Sequence, residues 1–480
     1  MAGLCVYNVM KRFLYMVAAM VTAGMGLGSC IDDSFTTDPS DLLTFSVDTV
    51  KFDTVMTTKG TATKQFVIYN RSKKQINISN IQVAGISKAH FYLNVDGTKG
   101  SVFRDIEIRG GDSIYVFVEG YVDKLSKNEP EEINDRIDFV TNGVTQSVAL
   151  NAWGQDVRTL KAVTLTEDTH LTNETPYVIY DSLVVRPNVT LTIDPGTTLL
   201  FHDKALLEVY GTLKAIGTKD KQIVMRGDRL DHVVGDISFD IMSGQWGGLL
   251  IFAGSHDNEL QYVDLHSTQY GIQVASNNPE RRSLHLLNSV VHNSESYCML
   301  TINAWVEAEG TEFSDAPDGV VAFMGGKIRA TQCTFANYYL FAAIEGPNIA
   351  FFQNDEKNSL MPLDCKIMNS ISYGLGYDVN LGDMSGTNIW IYNTLFKSSG
   401  NDDDHFFNCV WEADPKYYVN REKYIFDYRL MNESPAIARG DISLCPESAR
   451  YDRYGNDRFT NGTATDLGAY VWIESKEQQK

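Results

Sequence analysis

Asn288-Ser289-Val290-Val291, Gly310-Thr311-Glu312-Phe313 and Gln332-Cys333-Thr334-Phe335 follow one another at intervals of 22 residues. Each carries a small or polar pair and closes on an aliphatic or aromatic residue. Asn369-Ser370-Ile371 comes 37 residues later, and Asn393-Thr394-Leu395 a further 24. Upstream, Val263-Asp264-Leu265 lies 25 before Asn288. The one long gap, Glu345 to Pro362, reads as a loop insertion. A period of ~20–25 residues in β-rich sequence predicts a parallel β-helix. One coil of three short strands cannot bury its inner face, whereas stacked coils, about 4.8 Å apart, pair every backbone edge around one apolar core. Leucine-rich repeats share the period, but the LxxLxL string is missing. The general preference for right-handed parallel crossovers predicts a right-handed coil.

Working outward, residues 42–157 predict a second all-β domain. Ile106 and Ile108 alternate with polar residues, Gly110-Gly111-Asp112 turns, and Ile114, Val116 and Val118 alternate again. Ile137 and Phe139 lead to Asn142-Gly143, followed by Val148 and Leu150. Asn-Gly between alternating runs is a strong hairpin signal. Phe66 to Arg71 (FVIYNR), with Ile76 and Ile78, resembles the immunoglobulin-like modules of secreted and ciliary proteins. The resemblance implies a β-sandwich used as a spacer or adhesion module. The expected fold class is therefore all-β, an N-terminal immunoglobulin-like β-sandwich followed by a right-handed parallel β-helix over 160–475. A chain of 480 residues is long enough for both.

The N-terminus reads as a processing segment. Lys11 and Arg12 precede an uncharged run, Phe13 to Leu27, too short for a spanning helix of about 20 residues. Met10 offers an alternative start. Leu27-Gly28-Ser29-Cys30 resembles the lipobox of bacterial lipoproteins. It implies that residues 1–29 are a signal peptide and that Cys30 becomes the lipidated N-terminus. Two or three acyl chains make a lasting anchor, at ~0.8 kcal/mol per buried CH₂. Ile31-Asp32-Asp33-Ser34 opens a polar tether to Asp41 and resembles the surface-export signal of Bacteroidetes lipoproteins. The expected location is the outer membrane, on the cell surface, with the periplasmic face as the alternative. Removal of residues 1–29 takes the formal net charge from −20 to −22. That charge repels phosphate backbones and argues against nucleic acid as a partner.

The repeats also carry a family resemblance. Gln245-Trp246-Gly247-Gly248 with Leu249 to Ile251 resembles the opening rung of bacterial right-handed β-helix proteins of the pectin-lyase-like group. Thr190 to Thr197 (TLTIDPGT) and Gly211-Thr212-Leu213 resemble its early rungs. Asp427-Tyr428-Arg429-Leu430, Ser434-Pro435-Ala436-Ile437 and Asp466-Leu467-Gly468-Ala469-Tyr470 resemble its closing segment. The group includes lyases, hydrolases and adhesins, so the resemblance speaks to fold. A polygalacturonase-like hydrolase would carry an NTD segment, a GHG and an RIK. Here Leu395 follows Asn393-Thr394, no Gly-His-Gly occurs, and Lys327-Ile328-Arg329 is not the triplet.

Three constellations are candidate sites. Asp402-Asp403-Asp404-His405 offers oxygen ligands for a hard cation such as Ca²⁺, with His405 as a base; the other reading is a solvated turn. His266 and His292 fall at one place in successive coils and could share a ligand, with Asp315 beside them; the other reading is a polar turn ladder of Asn293, Asp315 and Asn337. Glu307 and Glu309 follow Trp305 and share one strand face, as a glycosidase or sugar groove requires; the other reading is a solvated outer face. Arg281, Arg282, Lys327 and Arg329 offer a basic patch nearby. Of seven cysteines, Cys298, Cys333, Cys365, Cys409 and Cys445 lie in the expected β-helix without a CxxC pair, so they read as buried apolar residues. The leading expectation is a non-catalytic carbohydrate or surface-ligand binder, or an adhesin-like structural protein, whose partner is a glycan or another envelope protein. The alternative is a polysaccharide lyase or glycoside hydrolase.

Overall fold

The structure, a computed structural model, describes residues 34–233, 237–352, 361–380, 387–460 and 462–475. Cys30 and the segment expected as a signal peptide lie outside them. The described residues form strands joined by turns, with five short 3₁₀ turns and no α-helix. None of their helices is long and apolar enough to cross a membrane. The chain divides into two compact units, Met1–Leu125 with Pro130–Gly154 and Ser126–Glu129 with Gln155–Lys480, each counted over its described residues.

The first unit has two antiparallel sheets. One runs in the order Leu43–Phe45, Lys64–Asn70, Ser113–Val122, Ala89–Val95 and Thr98–Gly100. The other contains Thr49–Met56, Val144–Gln155, Glu131–Thr141 and Ile76–Val83, with Val102–Phe103 and Ile106–Ile108 on its edge. Alternation puts every second side chain inward, so Phe66, Ile68, Val116 and Val118 of one sheet meet Ile76, Ile137, Phe139 and Val148 of the other in one core. The Asn142-Gly143 hairpin forms as expected: Thr141 pairs with Val144, and both turn residues have positive φ, 51° and 80°. The segment expected as an unpacked tether is attached from Ser34 onward. The Gln75 amide donates to Ser34 O, the Thr36 amide to Gln75 O, and the Asn142 side chain to Asp38 O.

The second unit is built on a parallel sheet of 25 strands. Three series of strands run through it, each pairing with its own successor. On the first face Leu206–Val209, Gly248–Ile251, Ile272–Ala275 and the starts of Met299–Glu309 and Val321–Thr331 stack in order. On the second, Asn258–Gln261, Arg282–Leu287 and the ends of those two long strands stack. On the third, Val263–His266, Val290–His292, Glu312–Ser314, Thr334–Asn337, Ile371–Gly374 and Leu395–Phe396 follow one another. This pairing is consistent with a β-helix.

The repeat that opened the sequence reading is the corner before the third face. Tyr262, Asn288, Gly310, Gln332, Asn369 and Asn393 all have φ between 45° and 57° there. Asn and Gly tolerate this left-handed backbone best, which is why they recur. The following residues supply the inner layer, where Phe313 and Phe335 stack at 5.7 Å and 6°. Two details differ from expectation. Asp264 pairs with Val290, so that coil spans 26 residues and not 25. The segment expected as a loop, Glu345 to Pro362, contains the strand Ile349–Phe352, which pairs with Val321–Met324 on the first face. An Ile-Ala-Phe-Phe string among glycines and acids is too short for periodicity to distinguish from loop.

After the last coil the chain folds back over the third face. Tyr417–Asn420 pairs with Ile425–Leu430, and Gly440–Asp441 with Ala464–Thr465. Tyr417, Tyr428, Leu430, Ala436, Leu467, Ala469 and Tyr470 pack on Ala336, Ile371 and Leu395. Arg458, 2% exposed, pins this segment by donating to the carbonyls of Ala449, Gly468 and Ala469. A buried guanidinium needs such partners, because an unpaired one would cost several kcal/mol, on the order of its desolvation.

Candidate functional site

The fold-back leaves an open cleft of about 460 Å³ between the third face and the closing segment. Ligand pockets typically span ~300–1,000 Å³. The face contributes Asp264, His292, Glu312 and Asp315; the closing segment contributes Arg453 and a set of tyrosines. Strand period places the first group. Asp264 and His266 point outward from one coil, His292 sits beside His266 on the next, and Glu312 and Ser314 follow on the third.

Of the residues singled out in the sequence, His266, His292 and Asp315 are brought together. The two imidazoles stack with centroids 4.7 Å apart at 25°. His292 Nε2 lies 3.2 Å from Asp264 Oδ1, and its Nδ1 lies 2.5 Å from Asn293 Oδ1. The Asn293 amide nitrogen donates to Ile241 O, which fixes its oxygen toward the ring. Both His292 nitrogens therefore face acceptors, and the ring is an imidazolium. Burial pushes its pKa down, but the hydrogen bond and charge of Asp264 outweigh this and raise it to about 9. His266 behaves oppositely: burial, then the charge of His292, lowers it to about 3. Its Nδ1 meets Ser267 Oγ at 2.9 Å, and that hydroxyl reaches the carbonyls of Phe239 and Asp240. The hydroxyl proton goes to a carbonyl, so His266 donates from Nδ1 and keeps a lone pair on Nε2.

Each carboxylate of the cleft is already bonded to protein. Burial would raise the Asp264 pKa, yet His292, His266 and Arg453 together hold it well below the ordinary range. Arg453 Nη2 meets Asp264 Oδ2 at 3.2 Å. Glu312 accepts from Ser314 at 2.7 Å and from the Tyr470 hydroxyl at 2.5 Å; burial pushes its pKa up. Asp315, 2% exposed, accepts from the Tyr428 hydroxyl and the Tyr338 amide; burial raises it as well. Asp427 is clamped by Arg429. At the mouth, residues Tyr424 and Tyr454 are 42% and 53% exposed.

The other candidates lie elsewhere. Glu307 and Glu309 share the second face, as expected, but Glu307 is paired with Arg282 at 2.5 Å. Glu309 lies 3.4 Å from His285 and accepts from Ser448. Trp305 is covered by Lys327, 3.9 Å from its ring centre. The expected basic patch is neutralised, with Arg281 on Asp257 and Arg329 on Asp364. The Asp402-Asp403-Asp404-His405 run is a turn. Asp402 accepts from the amides of Asn408 and Cys409, Asp403 from those of His405 and Phe406, and His405 Nδ1 faces Ile389 O. Oxygens turned onto amides are withdrawn from a cation. The five cysteines are free, and only Cys409 is not fully buried.

Sequence reading missed Asp264, Glu312, Arg453 and the tyrosines. Glu312 stood inside the repeat itself, two residues before Ser314 on the same strand face. Tyr428 and Tyr470 stood inside the closing motifs, where they read as fold elements.

The fold and cleft define an all-β protein with a large parallel sheet and a polar, tyrosine-rimmed site. No protein-family model matches the chain. A stretch of 72 residues, 15% of the chain, is 40% identical to Protein bark beetle of Drosophila melanogaster and covers 2% of that protein. The chain thus spans only a small fraction of that relative's length. A family 123 glycoside hydrolase from Clostridium perfringens aligns over 23% of this chain and 25% of its own, with 6% identity and a TM-score of 0.16. A protein of unknown function from Porphyromonas gingivalis W83 aligns over 26% of this chain and 60% of its own, with 14% identity and a TM-score of 0.17. Alignments at these scores carry no argument about fold or activity.

Proposed function

We propose that the chain is a lipid-anchored cell-envelope protein whose β-helix binds a neutral glycan in the cleft without catalysis. The observation that carries this reading is the pairing of the site. Asp264, Glu312, Asp315 and Asp427 are all bonded to protein donors, while Tyr424 and Tyr454 stand exposed at the mouth. Exposed aromatic rings are platforms for the apolar faces of sugars, and the acidic floor disfavours uronates. The coil is right-handed by the general preference of parallel crossovers. The first unit is an immunoglobulin-like sandwich and serves as a spacer. Leu27-Gly28-Ser29-Cys30 supports lipidation of Cys30, and Asp32-Asp33 supports export to the cell surface. The net charge of −20 speaks against nucleic acid.

The second reading is a polysaccharide lyase or glycoside hydrolase. It is favoured by the convergence of Asp264, Glu312 and Asp315 with His292 in one cleft. The two separate in a screen of the soluble 31–480 chain against neutral and uronate glycans. Saturable binding of a neutral glycan without new chain ends supports the first. Release of unsaturated or reducing ends establishes the second.

A further inference from the structure

We propose that Asp264, His266 and His292 form a binding site for one divalent transition-metal ion of the zinc class. This goes beyond glycan binding and does not depend on it. One ligand atom from each residue lies within 4.8 Å of the other two. Two adjacent strands, Val263–His266 and Val290–His292, hold the three side chains on one face, so the set is carried by the sheet and not by a loop. Zinc takes imidazole and carboxylate donors at about 2.0–2.2 Å in a tetrahedron. Donors then sit ~3.3–3.5 Å apart; His292 Nε2 and Asp264 Oδ1 are already 3.2 Å apart, and the widest pair must close by up to about 1.5 Å around the ion. A water from the cleft supplies the fourth position.

The surroundings match what such a site requires. Metal-bound imidazoles are oriented by a hydrogen bond on the other ring nitrogen. His266 Nδ1 is held by Ser267 Oγ, and His292 Nδ1 by Asn293 Oδ1, which leaves Nε2 of each for the ion. Asp264 keeps Oδ1 toward His292 while Oδ2 is held by Arg453. Of the charges that face the trio, Arg226 is paired with Asp240, Arg453 donates to Asp264 itself and to Gln222, and Glu312 accepts from Tyr470. Binding forms three metal–ligand bonds, and any proton on a ligand atom leaves to solvent as its bond forms.

The test uses the full chain, stripped with a chelator and titrated with Zn²⁺ at pH 7.5 in two buffers of different ionisation enthalpy. The expected result is one saturable equivalent per chain. H266Q and H292Q, checked for retained fold by circular dichroism, should each weaken binding at least ~10-fold, and H405Q should leave it unchanged. An anomalous-difference map of zinc-soaked wild-type crystals should place the ion between His266, His292 and Asp264. The assignment is overturned by no saturable binding, by undiminished binding in folded H266Q and H292Q, or by an anomalous peak elsewhere. Loss of zinc binding with glycan binding intact separates this site from the glycan reading.

Discussion

The Tyr428 hydroxyl sits 2.8 and 2.7 Å from the two carboxylate oxygens of Asp315, across 113 residues of chain. With Tyr470 on Glu312 and Arg453 on Asp264, it belongs to a row of polar pairs that fastens the closing segment to the coil of Asp264 and to the coil that carries both Glu312 and Asp315. Removing one partner strands a buried carboxylate, which costs about 1–3 kcal/mol. Tyr428→Phe keeps the ring in the core and deletes only the donor. It is expected to lower the thermal midpoint by several degrees and to raise protease sensitivity around Tyr417–Leu430. Unchanged stability and digestion would show that the row does not hold the segment.

In the first unit, Asp135 makes a different prediction. Its oxygens accept from the amides of Gly85, Ser87 and Arg136 and from the Ser87 hydroxyl. Burial would raise its pKa, but the Ser87 hydroxyl and the amides outweigh it, and the pKa is lowered. A carboxylate lowered on folding stabilises above its unfolded pKa of about 3.9, and that stability is lost as pH falls through the folded value. Asp135→Asn should therefore destabilise the unit at pH 7, and the gap to wild type should close as pH drops below ~4. Thermal melts from pH 7 to 3 measure it. A gap that widens in acid would contradict the assignment.

The inner stack supplies a third expectation. Phe313 is fully buried and stacks on Phe335 one coil away. Phe313→Ala opens a cavity between coils and should cost about 3–5 kcal/mol. Phe313→Leu, which retains most of the volume, should cost clearly less. Equal losses in chemical denaturation would mean that the volume kept by leucine contributes nothing, and would contradict the cavity account.

Cys30→Ala should abolish incorporation of labelled palmitate and move the protein from the membrane fraction to the soluble one. Retention in the membrane fraction without label would rule out lipid as the anchor. Labelling of intact cells with an impermeant reagent separates surface from periplasm.

The coil architecture was legible because a recurring corner needs the same left-handed backbone each time, and Asn and Gly answer that need visibly at Asn288, Gly310, Asn369 and Asn393. The histidine pair was legible for the same reason, since register carries His266 onto His292. The cleft was not. Its other wall comes from Tyr424 to Tyr470, more than a hundred residues downstream, and no local spacing encodes a fold-back. The partners of Glu307 and Glu309 were not legible, because strand period shows which side a carboxylate faces and says nothing about Arg282 and His285 on the neighbouring strand. The amide contacts of Asp402 and Asp403 were not legible either, because a turn that spends carboxylates on amides has the same composition as a cation loop.

The most direct test of glycan binding in the cleft is calorimetric titration of neutral oligosaccharides into the wild type and Tyr424→Ala/Tyr454→Ala, with product analysis on the same samples. Retention of the fold by the double variant is checked by circular dichroism, since the Tyr454 ring also packs on Tyr470. The account predicts saturable binding to the wild type, loss of at least ~10-fold in affinity in the variant, equivalent to ~1.4 kcal/mol, and no new chain ends. Undiminished binding in the variant, or any release of unsaturated or reducing ends, would contradict it.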